Sequence, residues 1–216
     1  MTIRTLLCAG AQTNKTYLPG PQNLAFGTME DRGYFGEVSS ADLATSAELA
    51  TLVDLDSIGT IMNPAASWLK FAHKGKVLYI AKQPLRRGLT IAQYSARGLI
   101  YGRDVTIKDI PFKVRFMTGG DADPATVGGG EWNDLMYPVC SARPAGQPIW
   151  ANFSEATLMV NNADVGRATF CQELRSGSTF HIYRGYTSLQ TFAAAVANSD
   201  MNNYGWRPVL EYTGSL

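Results

Sequence analysis

One stretch constrains this chain more than any other: Gly128-Gly129-Gly130-Glu131-Trp132-Asn133-Asp134-Leu135-Met136-Tyr137-Pro138. Three glycines let the backbone turn sharply or approach another segment closely. The residues behind them have helical spacing. Trp132, Leu135 and Met136 fall on one side of a turn or two, Asn133 and Asp134 on the other. Pro138 is expected to end the helix. A stretch of the same character lies near the C-terminus, Tyr204-Gly205-Trp206-Arg207-Pro208-Val209-Leu210-Glu211. The expectation is that the two stretches meet, and that Trp132 and Trp206 pack into a single hydrophobic centre.

The rest of the chain is consistent with one folded unit. A length of 216 residues suits one domain plus a small appendage, and a hydrophobic share of 45% is enough for a sizeable core. The expected division is an extended arm over residues 1–33 and a globular domain over 34–216. Pro19-Gly20-Pro21 marks a turn inside the arm, which is ordered either on a neighbouring subunit or as a simple strand and loop. Nineteen basic and 18 acidic residues give a net charge of +1, with no basic patch to hold nucleic acid. No apolar run approaches the ~20 residues of a membrane span. The apolar start is short and broken by Gln12-Thr13-Asn14-Lys15, so no targeting segment is expected. Cys8, Cys140 and Cys171 are odd in number and lack metal-type spacing. They read as buried thiols, with a Cys140–Cys171 bridge as the alternative.

Between the two tryptophan stretches and before them, regular elements are legible. Tyr34–Val38 reads as a strand. A helix is expected from about Ala41 to Val53, with serine ahead of it as N-cap and Asp42 in its first turn. Residues 67–73 and 76–82 read as a hairpin across Lys74-Gly75, with Trp68, Phe71 and Tyr79 as core side chains. Thr90 caps a short helix, Ile91 to Arg97, ahead of Gly98. A second hairpin pairs 104–107 with 112–117 across Lys108-Asp109-Ile110-Pro111. Residues 168–174 and 179–186 read as strands, 188–203 as a surface loop, and 205–212 as one closing strand.

The catalytic inventory is poor. His73 and His181 lie in strand patterns, with no nucleophile elbow nearby. The glycine runs lack phosphate-loop and dinucleotide spacing, and no Cys/His set fits zinc. Glu131 and Asp134 read as capping and network groups rather than paired catalytic carboxylates. Asp121 and Asp123 could open a calcium loop, but the remaining ligand pattern is missing, so a solvated loop is the default. Arg86-Arg87 could grip an anion, with a solvated or subunit-facing pair the plainer reading. No enzyme activity, metal or cofactor is expected. Recognition by loops rich in Tyr, Asn, Ser and Gly remains, and residues 183–204 have that composition.

Several blocks together carry a resemblance. Trp68-Leu69-Lys70-Phe71, Gly75 to Arg86, Gly98-Leu99-Ile100-Tyr101-Gly102, Gly130 to Pro138 and Gly205 to Glu211 resemble a module of tail and virion proteins of tailed bacteriophages, in register from about Tyr34 to Tyr212. More distantly, Gly-Gly-x-Trp-Asn followed by Gly-Trp-Arg is similar to the core of C-type-lectin-like domains of the formylglycine-generating type. The cysteines of that enzyme branch have no counterpart here. The resemblance implies an α+β, strand-rich C-type-lectin-like domain with two short helices and long loops. It implies a phage tail protein located in the virion, acting as a receptor-binding or fibre-associated adhesin. The alternative is a purely structural decoration, collar or baseplate adaptor. Implied partners are other virion proteins, further copies of the chain, and a glycan or protein receptor on the host. The implied ligand surface comprises Tyr186, Gln190, Asn198, Asn202, Asn203 and Tyr204.

Overall fold

A computed structural model describes residues 17–122, 128–161, 165–196 and 201–215. Along the chain the strands are β1 (Phe26–Gly27), β2 (Arg32–Val38), β3 (Thr60–Ile61), β4 (Trp68–His73), β5 (Lys76–Ala81), β6 (Arg86–Arg87), β7 (Arg103–Ile107), β8 (Ile110–Arg115), β9 (Ala168–Leu174), β10 (His181–Arg184), β11 (Phe192–Ala195), β12 (Tyr204–Trp206) and β13 (Val209–Tyr212). Helices are few and short: α1 (Ser46–Leu52), α2 (Ile91–Ser95), a π-helical turn (Trp132–Met136) running into α3 (Tyr137–Val139), and α4 (Glu155–Leu158). The class is therefore α+β and mostly sheet.

The strands form two sheets. The larger has the order β1-β2-β4-β5-β13-β8-β7, the smaller β11-β10-β9-β12-β6-β3. The β4–β5 hairpin sits in the middle of the larger sheet and turns at Lys74 and Gly75, whose φ values of 51° and 77° match the tight hairpin turn that follows strand twist. The second hairpin turns more tightly than its sequence suggests. Lys108 and Asp109 alone make the turn, at φ 49° and 64°, so Ile110 and Pro111 belong to β8.

Both faces of the larger sheet are covered. Trp68, Tyr79, Phe112, Val114 and Leu210 point to one side, where α1 and α2 supply Leu49, Ala50, Ile91 and Tyr94. Leu69, Phe71, Leu78, Ile80 and Val209 point to the other, against Trp132, Leu135, Met136, Trp150 and Leu158. This double burial explains why all of β4, including Lys70 and His73, is inaccessible despite its mixed composition.

The single tryptophan centre does not form. Trp68, Trp132 and Trp206 are all buried, but Trp206 joins the first cluster with Trp68 while Trp132 lies in the second. The two stretches do meet, through Arg207, whose guanidinium carbon lies 6.0 Å from the Trp132 ring. The expected closing strand is likewise two strands. Tyr204–Trp206 belongs to the smaller sheet and Val209–Tyr212 to the larger, with Arg207-Pro208 as the crossover. Proline has no N–H for a ladder, so it suits the break.

Other boundaries move for identifiable reasons. Helix α1 starts at Ser46, because Thr45 and Glu48 form a reciprocal capping box. The Ser39–Asp42 pair caps only a turn upstream. Helix α2 uses the same device with Thr90 and Gln93. Pro138 lies inside α3 rather than ending it, and the helical segment stops at Cys140. Within the expected loop of 188–203, residues Phe192–Ala195 pair with β10. The boundary between residues 33 and 34 falls inside β2. The preceding segment packs on the same core: Leu18 is buried, Tyr79 Oη donates to the Pro19 carbonyl at 2.9 Å and Lys70 Nζ to the Pro21 carbonyl at 2.6 Å. Burial pushes the Lys70 ammonium down to about 8. Cys140 and Cys171 are both buried free thiols, not a bridge. Cys8 and the first 16 residues of the arm lie outside the described residues.

Two predictions follow from the divided core. Trp132 Nε1 donates to the Leu189 carbonyl at 2.9 Å, whereas Trp206 Nε1 has no partner among the described residues. Trp132→Phe should therefore cost about 1 kcal/mol more than Trp206→Phe. Their sum should match the double variant within about 0.5 kcal/mol in chemical denaturation; coupling above roughly 1 kcal/mol would mean one continuous core. Arg207→Met should cost about 3 kcal/mol, because it strips donors from the Ala81 and Leu158 carbonyls in the core and from the half-buried Lys82 carbonyl. An unchanged unfolding midpoint would remove Arg207 from its structural role.

Candidate functional site

Two surfaces carry concentrated chemistry. The first is the tyrosine-rich side of the smaller sheet. In the β9–β10 ladder Tyr183 lies opposite Phe170, and Tyr204 enters from the parallel strand β12 beside Ala168. The Phe170 and Tyr204 rings stack at 4.5 Å. Tyr183 meets Tyr204 edge-on at 5.1 Å and Tyr186 at 5.9 Å. Beyond them the Arg167 guanidinium lies 4.4 Å from the Tyr186 ring, and its Nε donates to the Tyr186 carbonyl at 2.9 Å. The tyrosines are half-buried, so each shows an edge or a hydroxyl while its body is fixed by packing. Burial, and then the neighbouring phenols, push the Tyr183 hydroxyl above its ordinary range, so it stays a neutral hydrogen-bonding group at neutral pH.

Of the residues expected to form a ligand surface, Tyr186 and Tyr204 are in this cluster. Asn202 and Asn203 adjoin it: Asn202 accepts from Arg87 Nη1 at 2.9 Å, and its carbonyl accepts from the Gly166 N–H at 2.9 Å. Gln190 is exposed elsewhere, its amide donating to the Ala142 carbonyl at 3.3 Å. Asn198 lies outside the described residues. Sequence reasoning missed Phe170 and Arg167, and it had Tyr183 in the recognition stretch but not among the ligand-surface residues. The alternation through residues 179–186 held the signal, since Tyr183 is a strand residue whose face was not assigned.

The second surface is a cleft of about 410 Å³ at one end of the larger sheet, lined by charged strand residues. Its floor is an ion-pair network. Arg115 grips Glu131 with two nitrogens at 2.6 and 2.8 Å, and its Nε reaches Glu211 at 2.9 Å. Lys76 Nζ lies 2.6 Å from the other Glu211 oxygen. His73 Nε2 is 3.1 Å from Asp134, and Nδ1 is 4.0 Å from Glu131. Thr118 fixes Glu131 from behind: its N–H donates to the carboxylate at 3.0 Å, and its hydroxyl accepts from the Glu131 N–H at 2.9 Å. Gly130 makes that docking possible, because a Cβ there would lie 2.8 Å from the Thr118 backbone at φ +74°.

The network sets the charges. Burial alone would lower the Arg115 guanidinium, but Glu131 and then Glu211 raise it. Burial works against charge on Asp134 too; the His73 hydrogen bond and charge, with Arg32 and Lys74, bring it below the ordinary carboxylate range. Glu211 is lowered the same way by Lys76 and Arg115. The network reading of Glu131 and Asp134 fits these contacts, since Arg115 grips Glu131 and His73 lies between the two carboxylates.

The remaining expectations resolve as follows. Arg86 is buried rather than solvated, donating to the Ile58 carbonyl at 2.5 Å. Arg87 is the half-exposed member. Asp121 is exposed, and Asp123 lies outside the described residues. His181 is half-buried, and burial lowers its ring below the ordinary range.

The lowered carboxylates predict acid sensitivity. The unfolded chain takes up protons as pH falls through about 4.5, while folded Glu211 and Asp134 still resist, so the stability they contribute is lost below that point. Melting temperature should ease down below about pH 6.5, where the unfolded chain protonates His181 and the folded chain resists, and then drop more steeply below about 4.5. Glu211→Gln should lower it at pH 7 and flatten the acid limb; an acid limb identical to that of the parent chain would exclude Glu211 as a contributor. Among known protein families, characterised proteins and solved structures, none matches this chain.

Proposed function

We propose that this chain is a structural component of a bacteriophage virion, part of the tail, and that it binds through the tyrosine face of its smaller sheet. The observation that carries the binding part is the Phe170–Tyr204–Tyr183–Tyr186 cluster with Arg167 at its end. Tyrosine offers contact area and a polar tip at small entropic loss, and here packing has already removed most of its rotamer freedom. Such a face suits a sugar ring or a protein loop, both of which present C–H surface and hydroxyl or amide groups.

The lectin-like reading of the formylglycine-generating type rests on a different support from the shared indole centre first expected. The Trp132 ring lies against Gly185, where a Cβ would come within 2.7 Å, and Arg207 reaches the same ring. The two motif segments thus meet at one indole, with Gly185 packed against its far edge. The adaptor reading has its own support: β1 is an edge strand of the larger sheet and shows Phe26 about 45% exposed, a surface suited to a neighbouring subunit.

A density map of the intact particle tests the proposal. The chain should be found in the tail, with the tyrosine face open for an adhesin and covered by a neighbour for an adaptor. Its absence from the particle would end the virion reading. Tyr186→Ala combined with Tyr204→Ala should keep the fold and reduce host attachment or particle assembly by about tenfold or more. Unchanged attachment and assembly would dismiss the tyrosine face.

A further inference from the structure

The cleft at the end of the larger sheet has a role the tyrosine face does not explain. We infer that it is a binding site for a saccharide carrying an anionic group, a carboxylate or a phosphate.

The argument starts from charge. Lys74, Lys76, Lys113 and Arg115 line the cleft, against the carboxylates Glu131 and Glu211, leaving an excess of two positive charges among these six groups. The excess is localised. Glu131 and Glu211 are consumed by Arg115 and Lys76. Lys74 and Lys113 form no ion pair among the described residues. Lys113 sits directly across from Glu211 in the β8–β13 ladder, yet Glu211 turns to Arg115 and Lys76 instead. Asp104 faces Lys113 from β7 at an exposed position. Two ammonium groups therefore stand at a concave, charge-neutralised floor with hydrogen-bonding capacity to spare.

The second part is shape. The cleft volume falls within the ~300–1,000 Å³ range of small-ligand sites. Tyr101 lines its rim with 72% of its surface exposed, an aromatic face with no structural duty there. A Cβ on the adjoining Gly102 would lie 2.4 Å from the Lys113 stem, so the lysine and the tyrosine backbone are immediate neighbours. Deeper in, the Thr118 hydroxyl accepts from Glu131 and keeps its own proton to donate. An aromatic platform beside two cations and a hydroxyl matches a sugar ring that bears a negative group. A free anion would have no use for Tyr101, and a neutral sugar none for the lysines.

Calorimetric titration of the full chain tests this. The probes are trigalacturonate, glucose 6-phosphate, maltotriose and inorganic phosphate. One or both anionic sugars should bind at least about tenfold more tightly than maltotriose, and more weakly as salt rises. Binding of only trigalacturonate or only glucose 6-phosphate identifies the group. Lys74→Gln with Lys113→Gln should weaken that binding by about tenfold or more while the chain still unfolds in one cooperative transition. Tyr101→Ala should weaken the anionic sugar but not inorganic phosphate. The Tyr186→Ala, Tyr204→Ala variant should bind as the parent does, which separates this site from the tyrosine face. The inference fails if no anionic sugar binds at millimolar concentration, if maltotriose binds equally, or if the lysine variant binds like the parent.

Discussion

Arg207 joins what would otherwise be two half-structures. It stands where the chain leaves the smaller sheet at Trp206 and enters the larger at Val209. Its guanidinium donates to the carbonyls of Ala81, Lys82 and Leu158 and to the Thr169 hydroxyl, so one planar group touches β5, the segment after it, α4 and β9. Among the described residues no carboxylate pairs with it; burial pushes Arg207 down to about 9, and it is still protonated at neutral pH. A buried cation is tolerable only when its donors are met. The carbonyls at the ends of these elements meet them, and in return are themselves satisfied away from water. Lysine has no planar fork to span so many directions.

The two arginine centres solve the same problem with opposite chemistry. Arg207 is surrounded by carbonyl dipoles, which fix geometry without adding charge. Arg115 is surrounded by Glu131 and Glu211, which fix the helical segment after Gly130 to β8 and β13. The first lies within the core and the second at the edge of a cleft. That difference has a functional side. A network of paired charges beside solvent leaves neighbouring groups such as Lys113 without their natural partners, whereas a carbonyl cage leaves nothing over.

How much of this was legible depended on whether the signal was local. The β4–β5 hairpin could be read because Lys74-Gly75 marks the turn and large apolar side chains flank it. Helix α2 could be read from Thr90 ahead of it and Gly98 behind it. Helix α1 was placed too early because Ser39 and Asp42 imitate a cap that Thr45 and Glu48 provide. The split at Arg207-Pro208 was hidden by continuous apolar character on either side, with Pro208 as the one local hint. Strand β11 was hidden by composition: three of its four residues are alanine, which has little strand preference, and pairing with β10 decides its state. The cleft was invisible for a related reason. Its charges come from β5, β8, β13, the turn after β4 and Glu131 after Gly130, and only the strand order and the docking of that segment bring them to one place.

The same logic separates the two candidate surfaces from ordinary loops. The tyrosine face was sought in the long segment 183–204, on the premise that recognition belongs to irregular chain. Its rings come mainly from β9, β10 and β12, where register sets their spacing. The cleft is likewise built on strand residues and a two-residue turn. Rings and charges held by a ladder lose little freedom when a ligand arrives, so contact energy is not spent on ordering them. Gln190 shows the contrast: it belongs to the expected surface by composition, but it is tied to the Ala142 carbonyl away from the rings. Membership of a site in this fold follows from strand register, and residues chosen for polarity alone fall outside it.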